Sequence, residues 1–245
     1  MSEQASQPVA APFQVIKGVT PCAWKVLIYG TPGCGKSTLA THAPKPFFLD
    51  LEGGLNRIDC ERSPRLQTLD AIKMALRFAI SEGYKTVVVD TIDEVERLLA
   101  ETVCDRGGKA TLIDFGYGKG HDLLVEEWKD FVGILNAVQA RGVNVILIGH
   151  EQVKKFEDPT AENYDKYLLK LHQKSASYLT AKMDAVFFAR YETLVKEKED
   201  GRGRRAVGSG KRILHTTERP CWVAKNRFGL PDTMPMDQTL FERMI

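Results

Sequence analysis

The stretch GTPGCGKST, residues 30–38, constrains this chain more than any other feature. It fits the pattern G-x-x-x-x-G-K-[ST] from Gly30 to Ser37. It follows the apolar run WKVLIYG (24–30) and precedes a helical start, the setting this pattern requires. The glycines let the backbone curl so that successive N–H groups point inward, forming a concave nest for phosphate oxygens. Gly30, Thr31, Pro32, Gly33, Cys34, Gly35, Lys36, Ser37 and Thr38 are therefore the expected phosphate contacts. Lys36 neutralises the β- and γ-oxygens, and the Ser37 hydroxyl is a hard ligand suited to Mg²⁺. ATP and Mg²⁺ are the expected cofactors.

Such a loop needs a sheet behind it. KPFFLD (45–50), YKTVVVD (84–90) and VNVILIGH (143–150) are short apolar runs rich in branched or aromatic residues, and read as central strands of a parallel sheet. Between them, Leu69, Ile72, Leu76 and Ile80 mark one helix face. Leu124, Trp128, Phe131, Leu135 and Val138 mark a longer one, closed by Gly142. Strand–helix alternation implies right-handed crossovers and a doubly wound α/β sheet. After residue 150 the pattern changes to a polar, Lys-rich stretch (151–182). DAVFFARYE (184–192), ILHTTE and CWVAKN then read as antiparallel strands, with a loop at Gly201, Gly203, Gly208 and Gly210. With 245 residues, the expectation is a polar tail over 1–14 and a single α/β domain over 15–245.

The Mg²⁺ held by a loop serine calls for a carboxylate at a neighbouring strand end, and Asp90 closes TVVVD. Thr91 is a candidate second hydroxyl, with Asp93 or Glu94 expected in the first turn of the helix that follows. Hydrolysis also needs a group to orient or deprotonate water. Glu52, which precedes Gly53-Gly54 in a tight loop, is preferred to Glu94, which is expected to turn away. The strand tip IGHEQ offers His150 and Gln152 to the γ-phosphate.

A net charge of +2 gives no global field for a polyanion, so any basic surface must be local. Residues 196–212 hold seven cations against three acids, among them Arg202, Arg204 and Arg205. Residues 153–182 mix Lys154, Lys155 and Lys174 with Phe156 and several tyrosines. Each segment reads either as a solvated surface or as a track for a phosphate backbone. Lys225 and Arg227 in AKNRFG lie two apart, so on a strand they share a face roughly 7 Å apart. They read either as cations snorkelling to water or as a pair aimed at an anion. Five scattered cysteines without a C-x-x-C point to reduced thiols and a cytosolic setting rather than zinc or disulfides. The apolar runs are too short for a membrane span, and the N-terminus lacks a signal-peptide pattern. The expected location is the cytoplasm, that of a bacterial host if the chain is of phage origin.

Together these motifs resemble the RecA/DnaB-type core of P-loop ATPases. More narrowly, LIYGTPGCGKST, FFLDLEGGL, VVVDTIDEVERLL and AKNRFGLPD are similar to compact phage proteins with that core, labelled AAA-domain proteins, that act as single-strand annealing recombinases. The resemblance implies a mostly parallel sheet flanked by helices, with antiparallel C-terminal strands. It also implies Glu52 as the base and His150 or Gln152 as sensor. Lys225 and Arg227 become cations reaching into the ATP site of a neighbouring subunit, within a homo-oligomeric ring or filament. Single-stranded DNA is the implied partner, with a single-strand-binding protein or an exonuclease as a further one. A helicase- or translocase-type motor and a nucleotide-dependent switch with weak hydrolysis are the rival functions.

Overall fold

The branched apolar runs form the middle of one sheet. The computed structural model describes residues 15–157, 162–197 and 204–244, with the backbone alone for 194–197 and 204–207. The strands are β1 (Lys25–Gly30), β2 (Pro46–Asp50), β3 (Thr86–Asp90), β4 (Asn144–Phe156), β5 (Tyr164–Leu169), β6 (Ala185–Glu197), β7 (Arg204–His215), β8 (Lys225–Asn226) and β9 (Thr233–Pro235). The helices are α1 (Lys36–Ala40), α2 (Leu69–Ser81), α3 (Ile92–Gly107), α4 (Lys119–Ala140), α5 (Gln173–Lys182) and α6 (Thr239–Glu242). Strand order is β2-β3-β4-β1-β6-β7-β9, with β5 paired to β4 and β8 to β6. From β2 to β6 the pairs are parallel, and β7, β9, β5 and β8 add on antiparallel. This is the α/β architecture expected, a mostly parallel central sheet flanked by helices with antiparallel C-terminal strands.

Alternation along each buried strand feeds two cores. Leu27, Tyr29, Leu49, Val87, Val89 and Leu147 face the layer that includes Trp128, Ile72 and Leu179 from α4, α2 and α5. Val26, Ile28, Phe48, Val88, Ile146 and Ile148 face Leu39 of α1 and Leu240 and Phe241 of α6. Each helix covers the sheet with the apolar stripe its period marks. In α4 that stripe is Leu124, Trp128, Phe131, Leu135 and Val138, all buried.

Three expectations are corrected. β4 does not end at His150 but runs on to Phe156 and turns back as β5, making a hairpin of the Lys-rich stretch. Gly208 and Gly210 lie inside β7 and not in a loop. The β6–β7 register shifts between Tyr191 and Thr193, and Gly210 takes φ 75 there, where a left-handed residue accommodates a bulge. Of CWVAKN only Lys225 and Asn226 pair as strand, which leaves Arg227 beyond its end. The tail over 1–14, Gly201, Gly203 and Arg202 lie outside the described residues.

The outer edge of β2 is not open. Phe48 N–H donates to the Glu61 carbonyl, Ser63 N–H to that of Phe48, and Leu66 N–H to that of Asp50. Residues 61–66 thus run alongside the strand. No helix among the described residues is long and apolar enough to cross a membrane.

Candidate functional site

The loop between β1 and α1 begins where β6 leaves no room for a side chain at Gly30. A Cβ on Gly30 would stand 1.8 Å from the Ala189 carbonyl oxygen on β6, so only glycine fits there. Gly33 and Gly35 take φ 75 and 92, the left-handed values that turn the backbone into a nest. Lys36 is buried, and its ammonium donates to the carbonyls of Gly30 (2.8 Å) and Thr31 (3.0 Å), which aims it back across the loop.

The ends of β2, β3 and β4 converge on this loop because the three strands run parallel and in register to a common edge. Gly33, Gly35, Lys36, Ser37, Thr38, Asp50, Glu52, Asp90, Thr91, His150 and Arg212 line the cleft between them. The Ser37 hydroxyl donates to Asp90 Oδ2 at 2.5 Å, joining loop to strand tip. Asp90 is buried, and its carboxyl is pushed up to about 6 by that burial, with Glu52 and Asp50 adding to the effect and the Ser37 hydroxyl and Lys36 opposing it. Asp50 Oδ1 accepts the Gly53 N–H at 2.6 Å, tightening the turn that presents Glu52.

The Thr91 hydroxyl donates to Glu52 Oε1 at 2.7 Å and holds that carboxylate in place. Asp93, in the first turn of α3, accepts the His150 backbone N–H at 3.1 Å. The His150 ring Nδ1 stands 3.4 Å from Asp93 Oδ1 and 3.8 Å from Glu52 Oε1. At that separation the Asp93 contact is electrostatic rather than a well-formed hydrogen bond, and Asp93 Oδ1 has no hydrogen-bond partner. The Asp93 carboxylate nevertheless raises the His150 imidazole above its ordinary value against the opposing effect of burial.

The donor set fits Mg²⁺. A hydroxyl and a buried carboxylate are hard oxygen ligands, and a carboxylate held in the costly charged form is relieved by a cation. No cluster of three or more His, Cys, Asp or Glu side chains able to hold a metal occurs among the described residues. Mg²⁺ bound with a nucleotide needs only one or two protein ligands, the phosphates supplying others. When bound, it would neutralise phosphate charge next to Ser37 and Asp90.

Not every expected residue arrives. The Gln152 amide donates to the carbonyls of Leu169 (2.6 Å) and Leu171 (3.1 Å), which commits it to β5 and keeps it out of the cleft. Glu94, as expected, turns away and pairs with Arg97 on the surface of α3. Lys225 and Arg227 lie near the start of β6, at the opposite end of the sheet from the loop. The Lys225 ammonium donates to the carbonyls of Ala181 (2.9 Å) and Met183 (2.6 Å) at the end of α5. Burial is the main reason its pKa is lowered. Arg227, 60% exposed, stands 3.3 Å from Asp184.

Among the basic candidates, Lys154 and Lys155 are exposed on the β4–β5 hairpin beside Val153 (54% exposed) and Phe156 (39%). Lys174 pairs with Asp122, and both Lys174 and Lys154 act on the His172 ring, which places them on one surface. Arg204 and Arg205 take register positions opposite Glu197 and Lys196 at the far end of β7. Sequence reasoning missed Asp93 as a partner of His150 and Arg212 as a lining residue. Asp93 follows Asp90 by three positions, a spacing that returns it to the same strand edge. No local pattern marks Arg212, because β7 reaches the cleft only through its pairing with β6.

The sequence profile of the AAA_24 family, described as an AAA domain, matches residues 23–228. A curated relative, the SPbeta prophage-derived uncharacterized protein YorG of Bacillus subtilis (strain 168), is 26% identical over 155 residues. That alignment covers 58% of this chain and 44% of the relative, so the chain spans less than half of that protein's length. Among solved structures, the KaiC-like protein PH0186 from Pyrococcus horikoshii OT3 superposes with a TM-score of 0.41 at 14% identity, covering 79% of this chain and 78% of the other.

Proposed function

We propose that this chain, a member of the AAA_24 family of AAA domains, is a RecA-like P-loop ATPase that couples Mg-ATP hydrolysis to binding of single-stranded DNA. Its task in this reading is annealing or strand exchange of a phage type, carried out by a homo-oligomeric ring or filament. The prophage origin of the curated relative supports the phage setting.

One observation carries the proposal. β4 runs without a break from His150 in the cleft to Lys154, Lys155 and Phe156 on an exposed hairpin. The hairpin sets two adjacent cations between apolar side chains, Val153 and Phe156, a combination that can track a phosphate backbone and stack on bases without reading sequence. A strand is stiff along its axis, so what His150 meets at one end bears on the hairpin at the other.

At the cleft, Glu52 orients and deprotonates the attacking water, its carboxylate fixed by the Thr91 hydroxyl. Lys36 binds the β- and γ-oxygens, and His150, held by Asp93, contacts the γ-phosphate side. Arg227 is the better placed trans cation, being exposed just beyond β8, while Lys225 is tied to the carbonyls at the end of α5. Charge growing on the transferred phosphoryl group is then met fully only when subunits stack.

The test is steady-state ATP hydrolysis with and without single-stranded DNA over a range of protein concentrations. DNA stimulation with a steep dependence on protein concentration is expected. A rate indifferent to both refutes the DNA-linked, trans-assembled reading and favours a nucleotide switch. Lys154→Ala with Lys155→Ala is expected to weaken DNA binding and to flatten its salt dependence by roughly one to two in log–log slope.

A further inference from the structure

The phosphate loop is gripped from a second side, by the hairpin of β6 and β7. Cys34 Sγ lies 3.7 Å from the Ala189 carbonyl of β6, and the Tyr191 hydroxyl donates to the Gly33 carbonyl at 3.2 Å. Arg212 pairs with Tyr191 across the hairpin, where the register shifts. Its guanidinium carbon stands 6.0 Å from the centre of the Tyr191 ring. From there it reaches over the loop: a Cβ on Gly35 would lie 2.6 Å from Arg212 Nη1. Arg212 lines the cleft and is otherwise exposed.

The direction of approach matters. Glu52, Asp90 and His150 come from β2, β3 and β4, all on one flank of β1, whereas β7 lies two strands away on the other flank. Arg212 therefore meets the nest at the Gly35 backbone and not from the side where the water-activating and metal-binding groups gather. A guanidinium is charged at every accessible pH, and its fork of N–H donors matches two oxygens of a phosphate. Among the described residues, Lys36 and Arg212 are the lysine and arginine side chains that line this cleft.

We propose that Arg212 is a phosphate ligand supplied in cis from β7, contacting the nest-bound phosphates that nucleoside di- and triphosphates share. The proposal rests on the nucleotide-binding reading of the site and assigns a group to the half of the ligand that the strand-tip residues do not reach. Because Arg212 acts on phosphates common to substrate and product, it contributes to the affinity for both. Its strand also carries Arg204 and Arg205, so the ligand is fastened to the basic hairpin as well as to the loop.

Calorimetric titration of the full chain with Mg-ADP and with Mg-ATP tests this, on wild type, Lys36→Ala, Arg212→Ala, Arg212→Gln and Arg212→Lys. Removing the guanidinium in Arg212→Ala or Arg212→Gln is expected to raise both dissociation constants by about tenfold or more, the usual loss for a charge-assisted contact. Arg212→Lys recovers part of that loss. Circular dichroism establishes that each variant is folded, and Arg212→Gln, which keeps bulk without charge, stands in if Arg212→Ala is not. If Lys36→Ala loses nucleotide while both neutral variants bind within twofold of wild type, the Arg212 assignment falls and the nucleotide site stands. Loss confined to Mg-ATP, with Mg-ADP unaffected, also overturns it. If wild type binds neither nucleotide, both readings fall together.

Discussion

Replacing Asp90 by Asn should stabilise the nucleotide-free protein, and the gain should depend on pH in a calculable way. Asp90 titrates at about 6 in the folded chain against an ordinary 3.8, chiefly because it is buried. Between those values the folded state holds a proton that the unfolded chain releases, so stability falls as pH rises. The favourable contribution is fully present below pH 3.8 and is lost as pH climbs through about 6. At about 1.4 kcal/mol per pH unit, the accumulated loss is about 1 kcal/mol at pH 4.5, about 2 at pH 5.5 and about 3 at pH 7.5. Asn carries no charge, and its side-chain oxygen can still accept the Ser37 hydroxyl. The variant should therefore melt about 6–12 °C above wild type at pH 7.5, taking 2–4 °C per kcal/mol for a chain of this size. The advantage should shrink steadily towards pH 4.5. Thermal melts of both proteins at three pH values, without nucleotide or divalent cation, give the comparison. An advantage that does not vary with pH, or a variant less stable than wild type at pH 7.5, would refute the claim that a buried, unneutralised carboxylate sits at this strand tip. The same variant should lose Mg²⁺-dependent hydrolysis.

Glu52→Gln should lower turnover by about 10²–10⁴-fold while leaving ATP affinity within about twofold, as phosphate release and nucleotide titration would show. Asp93→Asn should bring the His150 titration back down, followed by NMR of the ring proton; no movement would mean that Asp93 is not the cause. Because a raised imidazole contributes stability below its ordinary 6.5 that is lost as pH rises through the folded value, Asp93→Asn should cost more at pH 6 than at pH 8. Mixing Arg227→Ala subunits with Lys36→Ala subunits should restore turnover that neither variant has alone, since each supplies what the other lacks; additive rates would place Arg227 outside the neighbour's site.

The parts of the fold legible in the sequence are those set by local pattern. The run before Gly30, the carboxylate closing TVVVD and the 3.6-residue stripe of α4 each carry their structure within a few residues. The cleft follows, because parallel strands in register bring Glu52, Asp90 and His150 to one edge. What escaped is governed by partners distant in sequence. β4 continues past His150 because β5 offers it hydrogen bonds from Glu151 to Phe156, though exposed lysines give that half no apolar signal. Gly208 and Gly210 carry the composition of a turn, and only the bulge against β6 explains their place in a strand. Gln152 is polar and two residues from His150 in the cleft wall, yet the Leu169 and Leu171 carbonyls claim its amide. Arg212 lies 177 positions from the glycine it overlies, a distance that no local pattern spans.

The strip of residues 61–66 along β2 bears on how copies of this chain can meet. A bare edge strand offers main-chain groups to any neighbour, and such pairing is indifferent to side-chain identity. Here Phe48 N–H and the carbonyls of Phe48 and Asp50 are already engaged from within, and an incoming strand would have to strip them first. On this flank an approaching copy meets the 61–66 strip and not the bare main-chain edge of β2.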